Sequence, residues 1–399
     1  MARTEALVNP TLLKWARETA GYTLGEAASR LSGVRDAEAR LAVWERGGED
    51  APRPTLAQAR KLAALYKRPL DVFFRAERPV EAAPPPDYRR RPGANERTLS
   101  PALRWHVRRL RNLRQAALDL AEGDPGAFAP FPVRASLDDD PADAAEKLRE
   151  VLRVPLDVQL RWRSEEKAWN HWRRAVETGG CLVFVLDKLA AIELDGFSLA
   201  FDKAAVIAVN GNPEMSRGRR VFTLMHELAH VALHAEGLCS LDDRVARVEA
   251  FCNRVAAAIL MPARAFREAA ERLTAEGAWK DEALAELALT FSVSRQAVYV
   301  RLVSLGLAKQ AQYDAWRTAR TARVETAPGQ EGQEEREGGP SFYQLYLYRM
   351  SFPYLRQVFE AYHADELSLA ELSDHLGVKP ATALALESRF LERLRTQAS

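Results

Sequence analysis

The stretch FTLMHELAHVALH, residues 222–234, places His226, His230 and His234 at every fourth position of an apolar run. On a helix, positions four apart share a face and lie about 6 Å apart along the axis. The first two histidines frame H-E-x-x-H, with Glu227 beside His226. Two imidazoles at that spacing reach one divalent ion through bonds of about 2 Å. Glu227 then stands next to the open coordination position. There it can take a proton from the attacking water and return it to the leaving amine. The alternative is a buried helix without a metal, which would have to satisfy two imidazoles and a carboxylate in an apolar setting at high cost. His234 lies about 12 Å along the axis from His226, too far to share one ion on a straight helix. It reads as a last-turn histidine complementing the helix dipole.

A catalytic zinc site needs a third protein ligand and keeps one position open. Downstream, VEAFCNRVAAAILMP, residues 248–262, sets Glu249 on a mostly apolar helix that stops at Pro262. Glu249 is the candidate third ligand; a salt bridge to Arg247 or Arg254 is the competing use of its charge. Cys252, one turn on, reads as a packed thiol. Two imidazoles and a carboxylate suit Zn²⁺, with Mn²⁺ or Fe²⁺ as possible replacements. Upstream, CLVFVL, IELDGFSLAF and AAVIAVN are rich in β-formers and predict a small sheet ahead of the histidine helix.

The chain has 399 residues, a net charge of +2 and three cysteines. Several domains are expected at this length, with no global polyelectrolyte partner. Cys181, Cys239 and Cys252 are widely spaced, which argues against a disulfide framework and for a reducing cytoplasm. No apolar run approaches membrane-spanning length, so no membrane association is expected.

Residues 1–80 read as short helices. Asn9-Pro10 starts the first, Thr23 with Glu26 makes a capping box for the second, a third stops at Gly47-Gly48, and Thr55 caps the fourth. EAAPPPDYRRRPG is a proline-rich linker by composition. The helix SPALRWHVRRLRNLRQAALDLA follows, and residues 81–135 form the linker and basic region. Arg108 and Arg111 belong to its arginine stripe, either a solvated face or a set of phosphate contacts. Residues 136–265 hold the sheet and histidine helix. Residues 266–317 form a second helix-turn-helix-like unit around FSVS. Residues 318–340 lack apolar side chains and are expected to be disordered. Residues 341–399 are helical, with helix-turn-helix spacing in LSLAELSDHLGVKPATALALE.

FTLMHELAHVALH followed by E-x-x-x-N-R-x-A-A-x-x-L-M-P resembles the ImmA/IrrE-type metallopeptidases. The likeness extends over GFSLAF, AVIAVN, RRVFTL and FSVSRQAVYVRL, and to the W-E-R-G and RPLDVFF segments near the start. It implies an α+β, mostly α-helical chain, with a zincin-like peptidase domain built on a small sheet and the H-E-x-x-H helix. It implies His226, His230 and Glu249 as zinc ligands and Glu227 as the base. Characterised members of that family cut a partner helix-turn-helix repressor under stress or when a mobile element is induced. LLKWARETAGYTLGEAASRL…WERG…PTLAQARKLAALY resembles the Cro/CI-type helix-turn-helix. In that fold the helix ending in the W-E pair touches base edges. Here Arg35 and Arg40 are the candidates to read guanine. Asp36 and Glu38 lie beside them and oppose DNA.

The leading expectation is a regulatory cytoplasmic zinc endopeptidase that cleaves a specific helix-turn-helix repressor, with operator DNA as a possible second partner. One alternative is a DNA-binding regulator whose peptidase domain only senses or docks. Another is a metalloregulator with a structural ion, but a structural zinc has four protein ligands and this set supplies three.

Overall fold

Asn9 accepts a hydrogen bond from the Thr11 amide at 3.1 Å, and Pro10 occupies the first turn behind it. The computed structural model describes residues 4–79, 100–124, 126–191, 193–234, 242–273, 279–326 and 341–398. These fall into two compact units, divided within one helix after Asn112.

The first unit holds α1 (Pro10–Ala20), α2 (Leu24–Ser29), α3 (Ala37–Arg46), α4 (Leu56–Tyr66), a 3₁₀ turn (Leu70–Phe74) and the start of α5 (Pro101–Leu120). Thr23 with Glu26, and Thr55 with Gln58, make reciprocal capping boxes, so both helix starts are encoded locally. Leu13, Ala16, Leu41, Leu62, Tyr66 and Phe73 form the core. Arg17 and Glu45 make a buried two-bonded ion pair at 2.8 Å between α1 and α3. The acid of the W-E pair is therefore committed to the core of this unit.

The second unit continues through α6 (Pro141–Leu152), α7 (Leu156–Trp162) and α8 (Glu165–Thr178). The strands are β1 (Leu182–Leu186), β2 (Gly196–Leu199) and β3 (Val206–Asn210), in the order β1-β3-β2. β1 runs parallel to β3 and β2 antiparallel to it, with Val183 opposite Ile207 and Phe197 opposite Ala208. Then come α9 (Arg217–Leu233), α10 (Asp242–Leu260), α11 (Ala263–Glu271), α12 (Asp281–Phe291), α13 (Arg295–Ser304) and α14 (Gln310–Thr326). The chain ends in α15 (Phe342–Arg349), α16 (Phe352–His363), α17 (Leu369–Leu376) and α18 (Pro380–Ala398). The fold is mostly helical with one small sheet, as the sequence implies.

Side chains alternate across the sheet. Val183, Val185, Ile207 and Val209 join a core with Trp169 and Trp172 of α8, Leu224, Met225 and Leu228 of α9, and Phe251, Val255 and Ile259 of α10. The same core reaches Phe291, Val298 and Tyr313, so α12 to α14 pack with the histidine helix. Leu182, Phe184 and Leu186 on the other sheet face are also buried. There the Tyr354 ring of α16 lies 6.5 Å from that of Phe184.

Two segments depart from expectation. Helix α7, opened by Pro155, was not anticipated; it is short, and Trp162 anchors it by an edge-to-face contact with Trp172. The stretch expected to be disordered from residue 318 begins as helix, because α14 runs through Thr326. Its early turns are pinned by packing of Tyr313 and Trp316 on Tyr299, and Ala and Arg sustain a helix well. Residues 327–340 lie outside the described residues, as do Cys239 and the arginines Arg89, Arg90, Arg91 and Arg97. Among the described residues, Cys181 and Cys252 are free thiols, and no helix is long and apolar enough to cross a membrane.

Candidate active site

Helix α9 carries His226 and His230 one turn apart, and its apolar side chains anchor that face on the sheet and α10. Helix α10 crosses beside it and delivers Glu249. The Nε2 atoms of His226 and His230 are 3.0 Å apart, and the Glu249 oxygens lie 3.4 Å from the first and 3.2 Å from the second. All three residues offer a ligand atom within 4.8 Å of one another. Tetrahedral zinc with bonds of about 2.0–2.1 Å spaces its ligand atoms by about 3.3 Å. The cluster can therefore hold a divalent metal.

The hydrogen bonds around it favour that use. His226 Nδ1 lies 3.1 Å from Asn253 Oδ1. An amide oxygen only accepts, so His226 donates from Nδ1 and its Nε2 lone pair is left for a metal. Arg247 pairs with Asp138 at 3.7 Å, and Arg254 donates from Nε to the Ala250 carbonyl. Glu249 instead faces the two imidazoles. Burial opposes its ionisation, but the histidines outweigh this and hold its carboxyl well below the usual carboxylate range. Burial disfavours a charged His230, yet hydrogen bonds with Cys252 and Glu249 raise its proton affinity well above the ordinary value. Cys252 is fully buried; burial pushes its thiol up, against the hydrogen bond to His230.

Glu227 is 3 % exposed, and its Oε2 accepts a 2.9 Å hydrogen bond from Ser198 Oγ of β2. The sequence did not point to Ser198, and Asn253 had a place in the E-x-x-x-N-R motif but no role. Ser198 was visible only as a polar residue in the alternating strand GFSLAF, and Asn253 as the asparagine one turn after Glu249. His234 caps α9 in the left-handed conformation, with Nε2 3.7 Å from Asp202. It does not join the ligand cluster.

The four arginines proposed for nucleic acid belong to the first unit. Arg35, just before α3, and Arg40, on α3, are exposed. Arg108 and Arg111 are half-buried on α5. Arg108 donates to the carbonyls of Tyr66 and Lys67 at 3.1 Å each, satisfying the C-terminal end of α4.

Residues 180–303 match the family model described as the IrrE N-terminal-like domain, peptidase family M78. The match contains all three strands, both ligand helices and the base. No curated protein matches the chain. The family domain and the His226–His230–Glu249 cluster together identify a metal-dependent endopeptidase.

Proposed function

We propose that this protein is a regulatory zinc endopeptidase that makes one cut in a helix-turn-helix repressor, near its dimerisation region. The observation that carries the reading is the three-ligand cluster with a buried carboxylate beside it on the same helix. A fourth protein ligand would make a closed structural site; among the described residues the set numbers three, which leaves a position for chemistry.

Bound zinc would supply Lewis acidity, polarising the scissile carbonyl and acidifying the attacking water. His226 and His230 would hold it through their Nε2 atoms, and Glu249 would offset part of its charge. Glu227 accepts the water proton as the new C–O bond forms, and passes it to the amide nitrogen as the C–N bond breaks. Ser198 keeps the Glu227 carboxylate in place during both transfers.

β2 pairs only with β3 among the described strands, so its other edge can accept an extended peptide as an added strand. Ser198 ties that strand to the base, so a peptide lying there would pass close to Glu227. A folded helix cannot lie extended along the strand; the scissile segment of the repressor must be a linker or must unfold. The helical pairs α12–α13 and α17–α18 suit recognition of a small helical partner away from the cleft. The test is mass spectrometry of candidate repressors after incubation with wild type and with Glu227→Gln. A single new cut by wild type alone supports the reading. Identical digestion by both, or indiscriminate cutting of unrelated unfolded proteins, removes it.

A second reading, operator binding by the first unit, is favoured by the exposure of Arg35 and Arg40. Such binding should weaken steeply with salt and lose base preference in Arg35→Ala with Arg40→Ala. Absence of binding to genomic fragments at low salt would leave the unit as a protein-docking module.

A further inference from the structure

We infer that Ser198, seated by Gly196, is the positioning residue for Glu227, fixing the orientation in which that carboxylate meets the reacting proton; this rests on the peptidase reading above. Gly196 and Ser198 occupy alternate positions of β2 and so share a face, while Phe197 and Leu199 point the other way. That shared face meets α9. A methyl group at Gly196 would lie 2.6 Å from Thr223 Cγ2, 2.7 Å from the Ala208 carbonyl oxygen and 3.6 Å from Glu227 Cγ. Only a residue without Cβ lets α9 come this close to the strand. At that separation the Ser198 hydroxyl, two residues along, reaches Glu227 Oε2 at 2.9 Å.

A glutamate side chain has three rotatable bonds, and burial alone does not choose among its carboxylate orientations. A hydroxyl donor fixed on a strand does. It occupies Oε2 and leaves Oε1 to take the proton. The strand that offers its edge to substrate is then also the strand that aligns the base. Substrate docking and proton transfer share one rigid element.

The test uses metal-loaded full-length protein and acetohydroxamate as probe. This small chelator transfers its hydroxyl proton to a neighbouring carboxylate when it binds a metal, so its affinity reports the base without a substrate. In Ser198→Ala, metal content should remain that of wild type, while acetohydroxamate affinity falls about tenfold, the worth of a hydrogen bond to a charged group. Ser198→Thr, which keeps the hydroxyl, should restore it. In a Glu227→Gln background, Ser198→Ala should change the affinity no further. Equal weakening in both backgrounds, or loss of metal from Ser198→Ala, overturns the positioning role and leaves the peptidase reading standing. A wild-type protein that holds no metal or does not bind acetohydroxamate overturns the peptidase reading itself, and this role with it.

Discussion

His226 has no exposure, and both its ring nitrogens are assigned: Nδ1 to Asn253 and Nε2 to the cluster. Removing either support has a calculable result. His230→Ala should lose stoichiometric metal, and Asn253→Ala should weaken metal binding by about 10–100-fold, the usual effect of losing the group that orients a ligand. Elemental analysis and a chelator competition measure both. Glu227→Gln should keep its metal and lose cleavage, because an amide cannot accept the water proton. The metal-free site also predicts a pH dependence. Glu249 has a folded pKa below its ordinary 4.5, so its contribution to stability is present above that value and is lost as pH falls through the folded pKa. His230 has a folded pKa above its ordinary 6.5, so its contribution is complete below that value and is lost as pH rises through the folded pKa. Thermal unfolding of metal-stripped protein should therefore show this pair at full strength between the two ordinary values. Metal and proton compete for His230, so metal affinity should climb with pH up to its raised folded pKa, with proton release visible by calorimetry in buffers of different ionisation enthalpy.

At the scale of elements, the pairing of β2 with α9 decides whether the base is held. Gly196 is the contact point, and its neighbours Thr223 Cγ2 and the Ala208 carbonyl leave no room for a methyl. Gly196→Ala should destabilise the protein by about 1–3 kcal/mol through overpacking, measured by urea unfolding. Acetohydroxamate affinity should fall with it, because relieving the clash with Thr223 separates β2, and with it Ser198, from α9. The helix starts of the first unit answer to local chemistry instead. Each capping box there is a contact within four consecutive residues, and Thr23 and Thr55 were readable as caps for that reason.

The C-terminal helices are joined to the peptidase fold through a buried ion pair on α8. Arg173 donates to the carbonyls of Val183, Tyr348 and Met350, and Glu177 accepts from the Phe352 amide and the Ser351 hydroxyl. Burial pushes the Glu177 carboxyl up despite its arginine partner. Arg173→Leu would leave that acid without its counter-charge, and the carbonyls of Val183, Tyr348 and Met350 without the guanidinium donor. Breaking a buried pair from one side costs about 3–5 kcal/mol. The expected outcome is a lower urea midpoint, with new proteolytic cleavage within α15 or α16. Retained stability would show that the pair does not hold the C-terminal helices.

What the sequence determined by itself was local or periodic. The spacing of His226, Glu227 and His230 on one helix face follows from 3.6 residues per turn, and helix caps and strands follow from short-range chemistry and alternation. Glu249 was legible as an acid on a mostly apolar helix, with a salt bridge to Arg247 or Arg254 as the competing use of its charge. The tertiary structure alone brought Glu249 to the imidazoles and away from Arg247 and Arg254, seated Ser198 on Glu227, and gave Arg108 the carbonyls at the end of α4. The physical reason is one of range. A side chain's charge or hydrogen-bonding capacity is written in its residue type, but the partner that satisfies it across the fold is chosen by how the apolar faces of β1, β3, α9 and α10 close on one core.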